Sequence, residues 1–326
     1  MKKFYPLHLR FTHVVSLVFL LGLFSMHTLS AQINFSQSVL DFNGNGNVDS
    51  GVTSLMYGPD GRLYVAEYPG TIKVLTILRN NSTDYVVTNL ESLSGVTDIV
   101  NHDDDGAVNN GQTQRETTGL TVAGTASNPV IYVSSSDFRI GAGSSGGDVG
   151  LDTNSGIITR FTWNGSSWDV VDLVRGLPRS EENHATNGLE LVNINGTNYL
   201  IVASGGITNG GSPSKNFVYT CEYALSGAIL SINLDLLDGI GVQTDGNGRD
   251  YIYDIPTLDD PTRNNVNGIT DPDTAGYNGV DINDPFGGND GLNQAKVVPG
   301  GPVQIYSPGY RNAFDLVVTE SGALYV

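Results

Sequence analysis

Ser54-Leu55-Met56-Tyr57-Gly58-Pro59-Asp60-Gly61-Arg62-Leu63-Tyr64-Val65-Ala66 reads as two apolar strands joined by a tight turn. Gly, Pro and Asp supply the turn chemistry, and the flanking runs show the period of two that a half-buried strand requires. The pattern returns three times, at residues 119–122 with 129–133, 188–192 with 199–203, and 315–318 with 322–326. The steps from Leu55 to Leu120 to Leu189 are about 65 and 69 residues, room for one four-stranded propeller blade with generous loops. A further strand follows each of the first three hairpins, at residues 70–75, 156–161 and 227–232. The expected fold is all-β, a β-propeller with about four blades represented.

Outward from these repeats, the pattern fades between residues 236 and 300 into Asp, Asn, Gly and Pro, a segment expected to be one elaborated acidic insertion and not a blade. Tyr251, Tyr253, Tyr277 and Phe286 within it argue that part of it packs. The last strand stops at Val326 where its counterpart at 63–67 continues, so a longer propeller is expected, because an open sheet edge is a liability.

Residues 1–31 read as a secretory signal peptide: Lys2, Lys3 and Arg10 precede an apolar run over 14–24 that ends in Thr28-Leu29-Ser30-Ala31. The run is too short to span a bilayer comfortably. The expectation is a periplasmic or secreted protein, mature over 32–326, with no membrane span after cleavage. The formal charge of −18 becomes −21 once those three basic residues leave. Such an acidic surface repels phosphate backbones and argues against nucleic acid as a partner. Cys221 is the one cysteine, so no intramolecular disulfide forms and stability must come from packing, with or without metal.

Two constellations can carry chemistry. In Glu182-Asn183-His184-Ala185-Thr186-Asn187-Gly188-Leu189 a histidine stands in the loop entering a first strand, where propeller loops point at the central axis. Histidine titrates near neutrality, so it can take a hydroxyl proton while a hydride leaves the same carbon. In Tyr306-Ser307-Pro308-Gly309-Tyr310-Arg311-Asn312-Ala313, again just before a first strand, Arg311 offers a planar fork for a carboxylate or quinone oxygen and Asn312 both donates and accepts. A locally bonded turn histidine and an arginine paired with one of the many acids are the plain alternatives.

Taken together, the 59–67 segment, Arg115-Glu116-Thr117-Thr118-Gly119-Leu120, the His184 segment, residues 227–232 and Gly309-Tyr310-Arg311-Asn312 resemble, in order and context, the glucose/sorbosone dehydrogenases. The resemblance covers most of the mature chain. It implies a propeller of the six-bladed type holding pyrroloquinoline quinone (PQQ) on its axis with calcium assisting. The implied reaction is oxidation of an aldose or related sugar at the anomeric carbon to a lactone, with electrons passed to an external acceptor. It implies His184 as general base, Arg311 and Asn312 as cofactor-binding residues, and Arg115 and Asn183 on the substrate side. Three positions depart from the family: Asn187-Gly188 replaces Gly-Arg, Tyr310 replaces a histidine, and Glu116-Thr117-Thr118 replaces Gly-Leu-Leu. A non-catalytic carbohydrate-binding or cell-surface propeller stays open, as does a lactone or ester hydrolase, although no nucleophile motif supports the latter.

For metal, Asp281, Asp284 and Asp290 supply hard oxygen donors between Gly turns and are the expected calcium ligands, with the His102-Asp103-Asp104-Asp105-Gly106 loop as a second acidic candidate. The stretch from Asp41 to Asp49 begins like an EF-hand loop, but Val52 occupies the place of its bidentate Glu, so it is read as a turn-rich strand connection.

Overall fold

The computed structural model describes residues 37–49, 51–141, 148–208, 222–289 and 291–326. The expected signal peptide, Cys221 and Asp290 lie outside the described residues. Among the described residues, no helix is long and apolar enough to cross a membrane.

The chain is nearly all β. β2 (Val52–Tyr57), β3 (Leu63–Glu67), β4 (Ile72–Arg79) and β5 (Tyr85–Leu93) form an antiparallel meander, with β1 (Leu40–Asp41) parallel on the outer edge of β5. β6 (Arg115–Gly124), β7 (Pro129–Asp137), β8 (Gly156–Trp163) and β9 (Trp168–Leu177) repeat it. The third sheet runs β10 (Thr186–Ile194), β11 (Thr197–Ser204), β12 (Ala228–Asn233) and β15 (Val303–Pro308), and β16 (Val317–Val318) with β17 (Leu324–Tyr325) opens a fourth. Local chemistry explains the hairpins. Asn195 and Gly196 both take positive φ, 52° and 91°, the backbone of a two-residue turn whose twist matches the flanking strands.

The first strands of successive sheets adjoin, and a repeated device joins them. β2, β6 and β10 each break register near their start, at Val52/Ser54, Thr117/Gly119 and Thr186/Leu189. Such a bulge re-aims side chains away from the ladder. Thr53 Oγ1 thereby donates to Thr117 O at 2.7 Å, and Thr118 Oγ1 donates to Thr186 O at 2.7 Å. Between the sheet faces lie apolar layers: Tyr64, Ile72, Val74, Leu120, Ile131 and Phe161 in the first, and Ile158, Leu173, Leu189, Leu200, Val202 and Leu230 in the second. Each such side chain contributes about 1.5–3 kcal/mol by leaving water.

The insertion differs from its expectation as a single loop. It lies between the third and fourth strands of the third sheet and carries helix α1 (Leu234–Ile240), capped by Asn233, which accepts from Leu236 N. It then returns as a hairpin, β13 (Gln243–Thr244) and β14 (Asp250–Asp254), and β14 extends the second sheet in parallel on β9. The physical reason is burial: Leu234, Leu237, Ile252, Ile255 and Ala295 complete the second apolar layer. The 41–49 stretch is the turn-rich connection expected, closed on itself by Asn45 N to Phe42 O and tied to β5 by Asn45 Nδ2 to Val87 O.

Candidate functional site

His184 sits in the loop that leads into β10, and its side chain is buried. Its Nδ1 lies 2.9 Å from the carbonyl oxygen of Gly206. A carbonyl only accepts, so Nδ1 carries the proton and Nε2 keeps a lone pair in the neutral ring. Burial pulls the imidazole pKa below its usual 6.5, and the nearby Arg311 guanidinium pushes the same way, against the Gly206 hydrogen bond and Glu182. The ring is therefore a neutral base at physiological pH.

The connection from β15 to β16 brings Arg311 and Asn312 to this histidine. Gly206 N donates to Arg311 O at 2.8 Å, so the residue that orients the imidazole also holds the arginine backbone. Asn187 Nδ2 donates to Asn312 Oδ1 at 3.1 Å and to Ala313 O at 2.9 Å, while Gly188 N donates to Phe314 O at 2.9 Å. Asn187-Gly188, a departure from the family pattern, thus has a structural use. A Cβ on Gly188 would stand 2.6 Å from Asp315 Oδ1, so only glycine lets the two loops meet. Gly205 is equally hemmed in, with the His184 Cβ 2.7 Å from where its own would be. Tyr310, another of the departures, packs against Ile201, Ala203 and Ile229.

Sequence reasoning missed the groups beneath. Arg179 is fully buried, ion-paired with Glu116 at 2.8 Å, and donates to Asp137 O, Arg139 O, Ser180 O and the His184 carbonyl. Glu222 accepts from Ile207 N at 2.7 Å, Thr208 N at 2.9 Å, Thr208 Oγ1 and Ser226 Oγ at 2.7 Å, and so fixes the turn that receives the imidazole. Partial burial works to raise the Glu222 pKa, but the Thr208, Ser226 and backbone hydrogen bonds hold it below the usual carboxylate value. Charged residues in a loop with no periodicity gave no signal for either role.

The structure gathers His184, Arg311 and Asn312, and leaves Asn183 exposed beside them. Arg115 differs from its expectation. Its side chain turns inward, donating to Asn101 Oδ1 at 2.8 Å and Ser155 O at 2.6 Å, and is 1% exposed. Burial among these acceptors, with Ser135 O a third, pulls its pKa down to about 10 and makes it a buried polar strut at the start of β6.

No protein-family model matches this chain, and no curated protein matches it. Two solved structures are similar to it, a calcium structure and an iodide structure of the Trichoderma reesei carbohydrate-active enzyme of family AA12. Each match covers 72% of this chain and 49% of the other, at 17% identity and a TM-score of 0.36. The chain spans about half the length of those structures, and a likeness so distant fixes neither blade number nor chemistry.

Of the expected calcium ligands, Asp281 and Asp284 meet different partners, and Asp290 lies outside the described residues. Among the described residues, no three His, Cys, Asp or Glu side chains gather where they could hold a metal ion. The turn closed by Phe286 N to Asn283 O sends Asp284 against Thr257 and leaves Asp281 against Asp259 and Asp260 N. Asp103 in the other acidic loop is ion-paired with Arg139 at 2.6 Å. Between β7 and β8, against the insertion, buried Asp152 accepts from Asn154 N and Gly288 N at 2.8 and 2.7 Å, and burial pushes its pKa up to about 7.

Proposed function

We propose that this chain is part of an exported propeller of the six-bladed type, similar to the glucose/sorbosone dehydrogenases, whose mouth oxidises an aldose or related sugar at the anomeric carbon. The observation that carries the reading is the neutral His184, with Nδ1 fixed by Gly206 and Arg311 beside it. The donor set fits PQQ: an exposed guanidinium and a clamped, exposed carboxamide at one loop suit a planar group bearing carboxylates and carbonyls. Arg311 and Asn312 would hold it, with calcium as its partner. The cofactor, when bound, supplies the acceptor for the hydride.

The chain's own residues do the rest. His184 Nε2 takes the proton of the anomeric hydroxyl as the carbon is oxidised, and Asn183, exposed on the same loop, is placed to hydrogen-bond a sugar hydroxyl. Arg179 and Glu222 keep the two loops in register so that the base does not drift.

Dye reduction by the full-length protein, reconstituted with PQQ and calcium and offered a sugar panel, tests the proposal. Turnover that falls about 100-fold or more in His184→Gln is expected. Quinone that fails to bind, with no turnover on any sugar, overturns it. Glycan binding that survives His184→Ala, without oxidation, would assign a non-catalytic carbohydrate-binding propeller instead.

A further inference from the structure

A second polar centre lies within the insertion, built from residues the proposed oxidation does not use. Residues 264–266 and 280–282 run side by side, joined by Ile282 N to Asn264 O at 3.0 Å and Val266 N to Val280 O at 2.8 Å. Asn265 and Asp281 face each other across this neck as bridge partners, and both are buried, at 0% and 1% exposure. The Asp259 side chain joins them: Asn265 Nδ2 donates to Asp259 Oδ1 at 3.0 Å, and the Asp259 and Asp281 carboxyl groups are within hydrogen-bonding reach of each other.

Each of the three side chains leaves one buried oxygen without a hydrogen-bond partner: Asp259 Oδ2, Asp281 Oδ1 and Asn265 Oδ1. One buried acceptor without a partner costs about 1–3 kcal/mol, and three in a single contact call for a shared occupant. The charge balance says of what kind. Asp259, Asp260 and Asp281 bring three carboxylates, and Arg263, paired with Asp260 at 3.2 Å, answers one. The Asp259 and Asp281 carboxylates, which meet Asn265 Nδ2 and Asp260 N, are left without an ion-pair partner among the described residues. Because Asp259 is partly exposed, a solvent ion can reach them.

We propose that this neck binds one divalent hard cation, calcium by its donor chemistry, through the Asp259 and Asp281 carboxylates and the Asn265 Oδ1 carbonyl, with water completing the shell. Carboxylate and amide oxygens drawn from irregular chain suit calcium's tolerant coordination better than the strict octahedron of magnesium. The ion ties the neck, and with it the 267–279 excursion, to the 257–263 turn. Asp284, an expected ligand by sequence spacing, has no part in it. The proposal does not depend on the oxidation reading.

Calorimetric titration of the metal-free full chain with calcium chloride, at pH 8, tests it, beside limited proteolysis of the 267–279 excursion. The expected result is one site that is lost, or weakened at least tenfold, in Asp259→Asn/Asp281→Asn, with calcium slowing cleavage of the wild-type excursion and not of the variant. Should that variant fail to fold, Asn265→Asp replaces it and is expected to bind calcium at least tenfold more tightly than wild type. Calcium binding that is identical in wild type and whichever variant folds overturns the proposal. So does an excursion whose cleavage calcium leaves unchanged, the result expected if a proton alone joins the two carboxyl groups.

Discussion

The mouth and the insertion are both irregular chain, yet they are held in opposite ways. At the mouth, the backbone does most of the holding among β10, the turn after β11 and the loop before β16: Gly206 N on Arg311 O, Gly188 N on Phe314 O, Gly205 N on Ala185 O. Glycines permit that closeness, and Arg311 and Asn312 stand exposed at this end beside the buried His184. In the insertion, side chains do the holding. Asp152 grips Gly288 N, Asn154 Nδ2 grips Asn293 O at 2.5 Å, and His102 stacks on Phe286 with ring centroids 4.1 Å apart. The comparison separates an end held by backbone from an insertion held by side chains.

Breaking the support under the mouth has the largest expected effect. Arg179→Leu leaves Glu116 buried without its ion pair and strips donors from the Asp137, Arg139 and His184 carbonyls. A loss of about 3–5 kcal/mol in denaturant unfolding is expected. A loss below about 1 kcal/mol would show that the mouth does not rest on this residue.

On the insertion side, Asp152 sharpens the contrast through pH. Folded Asp152 keeps its proton up to about pH 7, whereas the unfolded residue loses it near 3.8. The folded chain therefore binds more protons across that window, and this residue's contribution to stability falls as pH rises through it. Asp152→Asn removes the buried charge, so the variant is expected to gain on wild type by about 4 kcal/mol at pH 8 and to match it near pH 4. His102 works in the other direction. Burial holds its pKa at about 4, so the folded ring stays neutral where an unfolded histidine is charged, and its contribution is lost as pH falls from 6.5 towards 4. Thermal melts of His102→Gln and Asp152→Asn across pH 4–8 should show opposite slopes relative to wild type. Parallel slopes would contradict the assignment.

A smaller change should loosen the insertion alone. A Cβ on Gly288 would stand 2.4 Å from Thr153 Oγ1 and 2.8 Å from Asn154 Cγ. Gly288→Ala is expected to cost about 1–2 kcal/mol and to speed proteolysis within 255–302 while leaving the His184 resonances in place. Shifted His184 resonances would mean that the two regions are not independent.

Much of this architecture could be read from the chain because strands repeat a simple rule. The alternation at 54–57 and 63–66, and its copies, required only neighbouring residues to agree, and β2, β3, β6, β7, β10 and β11 follow it. β15 was hidden for the opposite reason: its partner β12 lies about 70 residues earlier, and no local pattern encodes a pairing across that gap. His184 and Arg311 were legible because each precedes a first strand, a position that the topology turns toward one end. Arg115 opens one, at the start of β6, but Asn101, Ser135 and Ser155 surround it with acceptors that only the fold brings together. The same holds for Asp281, whose true neighbours, Asp259 and Asn265, come from a fold of the insertion that spacing does not show.

The most direct measurement is an NMR titration of the His184 ring in wild type and in Arg311→Gln. The account predicts an Nδ1-protonated neutral ring with a pKa below 6.5, which moves upward when the guanidinium is removed. A ring that titrates at or above 6.5 and ignores the Arg311 substitution would show that the two groups do not share a site.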